Sequence, residues 1–327
     1  MKNRIVFFIV GAALLAALAI TAAFQWQVFF PAGLGKKPRV TVIFKTLDWD
    51  NFFWRTLKDG VESAAKDCDV DFLIEGPEEE KYIDQQISIV EDAVKQRPAA
   101  IVMAATDFNR LVPAAEEIKR SGIRLVEIDS FINSQVADCK IGTDNIRAGR
   151  QAGEALVGRI SERALVGIIS YVKASSTAID REAGVRGHLG TRVRILNTLY
   201  SNSEAGQAYS LCARLIATTP DLDAIVALNL PSTLGAAQAL KESGKQDRIV
   251  LVSFDSSQDV LEYIEEGVIR DTVVQKPFNM GYLGIRTARE LIDGKKIKKQ
   301  IDTGSVVINK DNMYEPENQK LLFPVVQ

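Results

Sequence analysis

Three cysteines and one histidine are all that this chain of 327 residues offers to thiol or imidazole chemistry. Cys68, Cys139 and Cys212 are scattered and odd in number, with no CxxC and no metal-ligand spacing. They read as packing residues, as buried free cysteines usually are, with a Cys68–Cys139 bridge left open. His188 falls inside a helical stretch, far in sequence from any polar cluster, and reads as a packing or surface residue. The serines therefore lack an evident base, and nucleophilic catalysis has no support. No Gly-rich phosphate cradle of the Walker or dinucleotide type occurs. Charge is balanced, with 40 basic against 42 acidic residues and a formal net charge of -2. Without a basic block or stripe, nucleic acid is excluded as a partner. No cofactor and no metal are implied.

Long apolar runs are also scarce, with one exception. Residues 5–24 are apolar with only Thr21 interrupting, and Lys2 and Arg4 precede them. That is about the length that spans a bilayer. Phe24, Trp26, Val28, Phe29 and Phe30 follow, as an interfacial anchor would. The preferred reading is an uncleaved signal anchor over residues 1–30 and a linker over 31–38. The alternative is a signal peptide cleaved after Ala19 or Ala23. No cysteine lies near the end of this segment, which excludes a lipid anchor. Either reading sends the remainder out of the cytoplasm.

What the rest of the chain does contain is a repeated arrangement. Ile249 to Phe254 is apolar apart from Ser253 and ends in Asp255. Such a run reads as a strand buried on both faces, the kind found in parallel sheets. Residues 123–128 end likewise in Asp129, residues 224–228 in Asn229, and residues 272–274 in Gln275. Ligands of open α/β sheets bind outside the carboxyl ends of the strands. These tips therefore predict a polar small-molecule site without a metal.

Taken in order, the chain alternates strand and helix. Strands are predicted over 40–44, 70–74, 99–104 and 123–128, with helices from Asn51, over 79–96 and over 113–119. The rhythm pauses over 136–143 and restarts. Helices then fall over 146–160, 179–189, 204–217, 232–243, 260–266 and 277–293, with strands over 164–170, 193–199, 224–228, 249–254, 272–274 and 304–308. Alternation of this kind means doubly wound parallel sheets. The break near Thr143 divides them into two similar lobes.

Several motifs then match a family. They are Asn51-Phe52-Phe53-Trp54 with Leu57-Lys58-Asp59-Gly60, Glu127-Ile128-Asp129-Ser130, Ile141-Gly142-Thr143-Asp144-Asn145, Arg181-Glu182-Ala183-Gly184, Ala227-Leu228-Asn229, Phe254-Asp255 and Val274-Gln275. In this order the chain from Arg39 onward resembles the periplasmic sugar-binding proteins of the ribose/galactose type. The resemblance implies two doubly wound lobes joined by three crossing strands and closing on a sugar. The N-terminal lobe would comprise residues 39–142 and 277–304, the C-terminal lobe 143–276 and 305–327. Crossings would fall near Thr143-Asp144, Gln275-Lys276 and Ser305-Val306. It also implies the ligand set. Asn51 is the first-loop polar contact, Phe53 and Trp54 an aromatic pair sandwiching the sugar ring, and Asp129 the carboxylate of the N-terminal lobe. Arg181, Asn229, Asp255 and Gln275 supply the C-terminal lobe and the hinge.

The chain departs from the ribose pattern at Ser130 (an arginine there), near Ser203 (an aromatic) and at Leu230 (an acid), with Pro231 next. These changes are expected to enlarge or depolarise the pocket. The partner is expected to be a membrane sensor such as a histidine kinase or chemoreceptor, because a permanent anchor suits a receptor subunit. The alternative is the permease of a sugar ABC transporter. A sugar-responsive repressor shares this fold but needs a helix-turn-helix where the apolar span stands. An enzyme would need an acid/base pair, which Asp129 with Asp255 could supply.

Overall fold

A computed structural model of the chain describes Thr21 and residues 37–323. The chain divides into the units Met1–Lys37 and Pro38–Gln327, and the second carries everything below. The expected anchor over residues 1–30 and most of the linker lie outside the described residues. Among the described residues no helix is long and apolar enough to cross a membrane.

The first sheet runs β12-β5-β4-β3-β1-β2 and every pairing in it is parallel. Its strands are β1 Arg39–Ile43, β2 Asp71–Glu75, β3 Ala100–Met103, β4 Arg124–Ile128, β5 Cys139–Gly142 and β12 Gln300–Asp302. Helices α1 Phe52–Asp67 and α9 Pro277–Ile292 cover one face, while α2 Ile83–Lys95 and α3 Val112–Arg120 cover the other. The apolar strands follow from this double cover. Val40 and Val42 pack towards α1 and α9, and Ile43 and Met103 pack towards α2 and α3.

The second sheet runs β13-β11-β10-β9-β6-β7, with β8 also on β6. It comprises β6 Leu165–Ser170, β7 Arg194–Ile195, β8 Leu199–Tyr200, β9 Leu222–Ala227, β10 Val250–Phe254, β11 Asp271–Val274 and β13 Val306–Asn309. Only β13 is antiparallel, to β11. Helices α4 Asn145–Val157 and α5 Ser176–Leu189 cover one face. Helices α6 Ala205–Thr218, α7 Leu230–Glu242 and α8 Gln258–Glu265, with α10 Pro316–Leu322, cover the other. The backbone passes between the sheets after β5, after β11 and between β12 and β13. The architecture is thus α/β, two lobes built on parallel sheets.

Both lobes rely on helices in near-backbone contact. A Cβ on Gly60 of α1 would stand 2.1 Å from the Phe278 carbonyl oxygen of α9. One on Gly149 of α4 would stand 2.2 Å from that of Arg181 on α5. The second contact sets where α5 carries Arg181.

Some predicted elements shift. The helix expected over 79–96 starts at Ile83, and residues 79–82 form a turn instead. Gly76-Pro77 opens that turn, and Glu80 in it is buried by its own partners rather than solvated on a helix. The strand expected over 193–199 is split into β7 and β8, both on β6. The pause at 136–143 holds the short β5, and β12 and α10 are additional. All three cysteines are free thiols, so the Cys68–Cys139 bridge does not form. His188 is half-buried on α5 against Gly153 of α4, a packing position.

Candidate functional site

All eight sequence-predicted residues, Asn51, Phe53, Trp54, Asp129, Arg181, Asn229, Asp255 and Gln275, line one pocket between the two lobes. Lys45, Glu80, Tyr171, Thr177, Leu230 and Pro231 complete it. The free space among them, counting that open to solvent at the mouth, is about 300 Å³.

Asp129 and Asp255 follow β4 and β10, the strands that hold the same place in the two sheets. Both adopt the left-handed backbone region, with φ of 57° and 70°. Aspartate is one of the few non-glycine residues that take up this region readily. Each N–H donates to the neighbouring strand, Asp129 to Ile141 O at 3.0 Å and Asp255 to Val273 O at 2.9 Å. The cap of α8 is Ser257, so Asp255 is free of that duty. Asn229 does serve as a cap: its Oδ1 accepts from Ser232 N at 3.1 Å. Asn51 caps α1 through Phe53 N at 3.0 Å.

On the C-terminal side the polar groups hold one another. Gln275 Nε2 donates to Asp255 Oδ1 at 2.7 Å, and Leu230 N donates to Oδ2 at 3.1 Å. Arg181 lies 4.0 Å from Asp255 and donates to Asn145 Oδ1 and Leu228 O, its guanidinium over the Phe254 ring at 4.7 Å. Burial pushes the Asp255 carboxyl above the ordinary aspartate range, against the opposing pull of Arg181 and Gln275. Gln275 Oε1 is buried without a hydrogen-bond partner, an acceptor left open in a polar pocket.

On the N-terminal side the central group is Lys45, two residues past β1. Its ammonium sits 3.1 Å from Asp129 Oδ2 and 3.9 Å from Glu80 Oε2. It lies 5.5 Å from the Trp54 ring centroid and 5.8 Å from that of Tyr171. Burial works against its charge, yet Asp129 and Glu80 more than offset this and hold it protonated. Burial also pushes the Tyr171 hydroxyl up to about 12, and it donates to Thr177 Oγ1 at 2.6 Å.

Two expectations need correction. Phe53 and Trp54 meet edge to face, with centroids 5.0 Å apart and planes at 87°. No sugar ring fits between them, so they form one wall, and the Lys45 ammonium lies near both Trp54 and Tyr171. The second concerns the departures from the ribose pattern, of which only Leu230, with Pro231, lines the pocket. Ser130 turns away and donates to Ala105 O. Ser203 donates to the Glu80 carboxylate at 2.9 Å. Only Leu230 and Pro231 add apolar surface.

Lys45 was legible in principle, because it too follows a buried strand. Glu80 was not, hidden in the run Glu78-Glu79-Glu80-Lys81. Among the described residues, hydrogen bonds also cross the cleft. Phe108 N reaches Ala174 O at 2.8 Å, Phe131 N reaches Ser176 Oγ at 2.9 Å, Ser203 meets Glu80, and Lys81 meets Glu204 at 2.7 Å. The lobes are in a closed arrangement. Among the described residues no cluster of His, Cys, Asp and Glu could hold a metal ion.

The model of the periplasmic binding protein domain matches residues 40–296. The chain belongs to the periplasmic binding protein family. It is 29% identical over 303 residues to the D-ribose/D-allose-binding protein of Pseudomonas aeruginosa, covering 88% of this chain and 93% of that one. It is 26% identical over 277 residues to a ribose import binding protein of Bacillus subtilis, covering 85% and 89%. Among solved structures it resembles a carbohydrate transporter solute-binding protein of Agrobacterium radiobacter in complex with D-arabinose. The TM-score there is 0.85 at 29% identity, over 89% of this chain and 100% of that one. An ABC transporter solute-binding protein of Agrobacterium vitis with bound D-fucose gives 0.84 at 30% identity, over 87% and 100%. This periplasmic binding protein is a sugar-binding protein and not an enzyme, and its family places it outside the cytoplasm.

Proposed function

We propose that the chain is the substrate-binding component of a sugar ABC transporter, taking one monosaccharide between its lobes and presenting the closed form to a permease. The observation that carries the reading is the pair of strand-tip carboxylates, Asp129 and Asp255, facing one pocket from opposite lobes. A polyol offers hydroxyls in fixed directions. Asp accepts them, Arg and Lys donate, and Asn and Gln do both. Asn51, Asp129, Arg181, Asn229, Asp255 and Gln275 supply the polar contacts of this reading, with Lys45 added. Trp54 and Phe53 cover the apolar face of the ring. Both cations have a carboxylate nearby, which favours a neutral sugar over a sugar acid.

The import role of the relatives supports a permease over the sensor kinase or chemoreceptor expected from the apolar N-terminus. Calorimetric titration of the full-length chain with D-ribose, D-allose, D-arabinose and D-fucose tests the ligand class. One-to-one binding, micromolar or tighter, with the sugar recovered unchanged is expected, and silence towards all four would sink the reading. Uptake of the bound sugar should fall in cells lacking the chain. Normal uptake with a lost transcriptional response would restore the sensor.

A further inference from the structure

Glu80 has no role in the sugar contacts just described, yet it is among the most enclosed carboxylates of the cleft. Its Oε1 accepts the indole N–H of Trp54 at 3.1 Å. Its Oε2 accepts the hydroxyl of Ser203 at 2.9 Å. Ser203 belongs to the other lobe and in turn accepts from Asn229 Nδ2 at 3.2 Å. Four side chains thus form one line of hydrogen bonds, Trp54–Glu80–Ser203–Asn229, crossing the cleft. Both ends of the line are pocket walls.

The backbone is shaped to make this line. Asn202 and Ser203 are consecutive non-glycine residues with φ of 53° and 62°. Both sit in the left-handed region, which asparagine tolerates and serine seldom adopts. That conformation brings Ser203 over the pocket just before α6 begins. Glu80, for its part, lies in the turn between β2 and α2 that replaces the first turn of the predicted helix. A buried carboxylate needs donors. One of the donors of Glu80 comes from its own lobe and one from the opposite lobe, so parting the lobes must remove the second.

We propose that Glu80 is the positioning residue that couples the ring-stacking wall of the pocket to closure of the cleft. One oxygen fixes the plane of the Trp54 indole against which a ligand ring rests. The other receives Ser203 only when the lobes meet. A ligand lying on Trp54 and reaching Asn229 therefore touches both ends of a line that is complete only in the closed form. Glu80 and Ser203 then govern how long the closed form lasts rather than how often ligand enters. This deepens the sugar-binding reading and rests on it.

The test is a double-mutant cycle on the full-length chain with E80A, S203A, the double variant and E80Q, using D-ribose, D-allose, D-arabinose and D-fucose as probes. Association and dissociation rates are followed by stopped-flow tryptophan fluorescence. Losing a hydrogen bond to a charged group speeds release by about 10-fold or more, so E80A and S203A should do this with association changed less than about 2-fold. The double variant should release no faster than E80A, because both changes break one line. Glutamine retains an acceptor for the indole and a polar group for Ser203, so E80Q should recover most of the closed lifetime. Thermal melts separate these effects from unfolding. Small-angle scattering without sugar gives an independent arm, in which E80A and S203A should be more open than the wild type. Release from S203A at the wild-type rate, or effects that simply add in the double variant, would overturn the proposal. If the wild type binds none of the four sugars, the sugar reading fails and scattering alone judges the coupling. Equal openness in all forms then refutes it.

Discussion

In the first lobe Asp129 leaves β4 in the left-handed region and meets an ammonium at 3.1 Å. In the second lobe Asp255 leaves β10 in the same way and meets an amide, a backbone N–H and a more distant guanidinium. The backbone geometry is shared and the neutralisation is not. Asp129 is held by a single buried charge that itself lines the pocket. Asp255 is held by a framework whose members also hold one another. The difference extends two residues back along the strand. There the first lobe buries Glu127 and the second buries Ser253, and both carry an oxygen that accepts no hydrogen bond. The first lobe therefore concentrates titratable charge around one strand, where the second uses neutral groups.

The largest effect should come from breaking the charge pair. Asp129→Ala leaves the Lys45 ammonium buried with only Glu80, at 3.9 Å. Removing one partner of a buried pair costs about 3–5 kcal/mol. Denaturant melts should show a loss of that order. Adding Lys45→Met to Asp129→Ala should restore part of the stability, since the unpaired ammonium is gone and Glu80 keeps the Trp54 and Ser203 donors, while binding stays lost. If Asp129→Ala is no less stable than the wild type, Lys45 is not committed to it.

Asp255→Ala should act the other way round, on binding more than on folding. Its partners keep alternatives: Arg181 retains Asn145 and Leu228 O. We expect sugar affinity to fall at least about 100-fold, as when a buried charged acceptor is removed, with a cooperative melt preserved. Because burial raises the Asp255 carboxyl, wild-type affinity should begin to drop on acidification at a higher pH than an ordinary aspartate would give. Retained affinity in the alanine variant would mean that the pocket is wrongly assigned.

Glu127 offers the test of the contrast along the strand. Burial raises its carboxyl from 4.5 to about 7, although Lys140 lies 3.5 Å away and pulls the other way. A raised carboxyl favours folding below its unfolded value, near pH 4.5. That contribution is lost as pH climbs to about 7 and stays lost above. Glu127→Gln removes the titration, so the variant should exceed the wild type by about 3–4 kcal/mol above pH 7, at about 1.4 kcal/mol per pKa unit. The advantage should shrink to nothing towards pH 4.5. Melts at pH 4.5 and 8 measure it. Ser253→Ala, at the matching place, should show no pH-dependent difference.

These contrasts also mark what a sequence carries. The tips Asp129, Asn229, Asp255 and Gln275 were visible because buried strands write themselves as apolar runs, and a polar residue at the end stands out. Arg181 came through the family motif alone. Its place depends on the Gly149–Arg181 approach between two helices, which no local pattern encodes. Phe53 and Trp54 line the pocket as the motif implies, but their edge-to-face angle is a matter of packing, which no local pattern encodes. Glu80 looked like one more surface charge, because nothing in Glu78-Glu79-Glu80-Lys81 tells which acid turns inward. The distinction appears only once Trp54 and Ser203 converge on it from different lobes. Short elements such as β5 and β12 gain their order from a neighbouring strand rather than from their own residues.

Lys81, next to Glu80, gives the smallest effect and the sharpest control. It reaches Glu204 across the cleft at 2.7 Å and Glu79 within its own lobe at the same distance. By distance alone it would rank above the Glu80–Ser203 contact as a latch. Its side chain is about one-third exposed, however, and water and salt replace such a pair readily. Lys81→Ala should therefore leave dissociation of bound sugar close to the wild-type rate at physiological salt, with a modest acceleration only at low ionic strength. Stopped-flow release measured across a salt series decides the point. A salt-independent acceleration as large as that of Ser203→Ala would move the latch from the buried line to the rim, and would make the cross-cleft ion pair the contact that holds the lobes together.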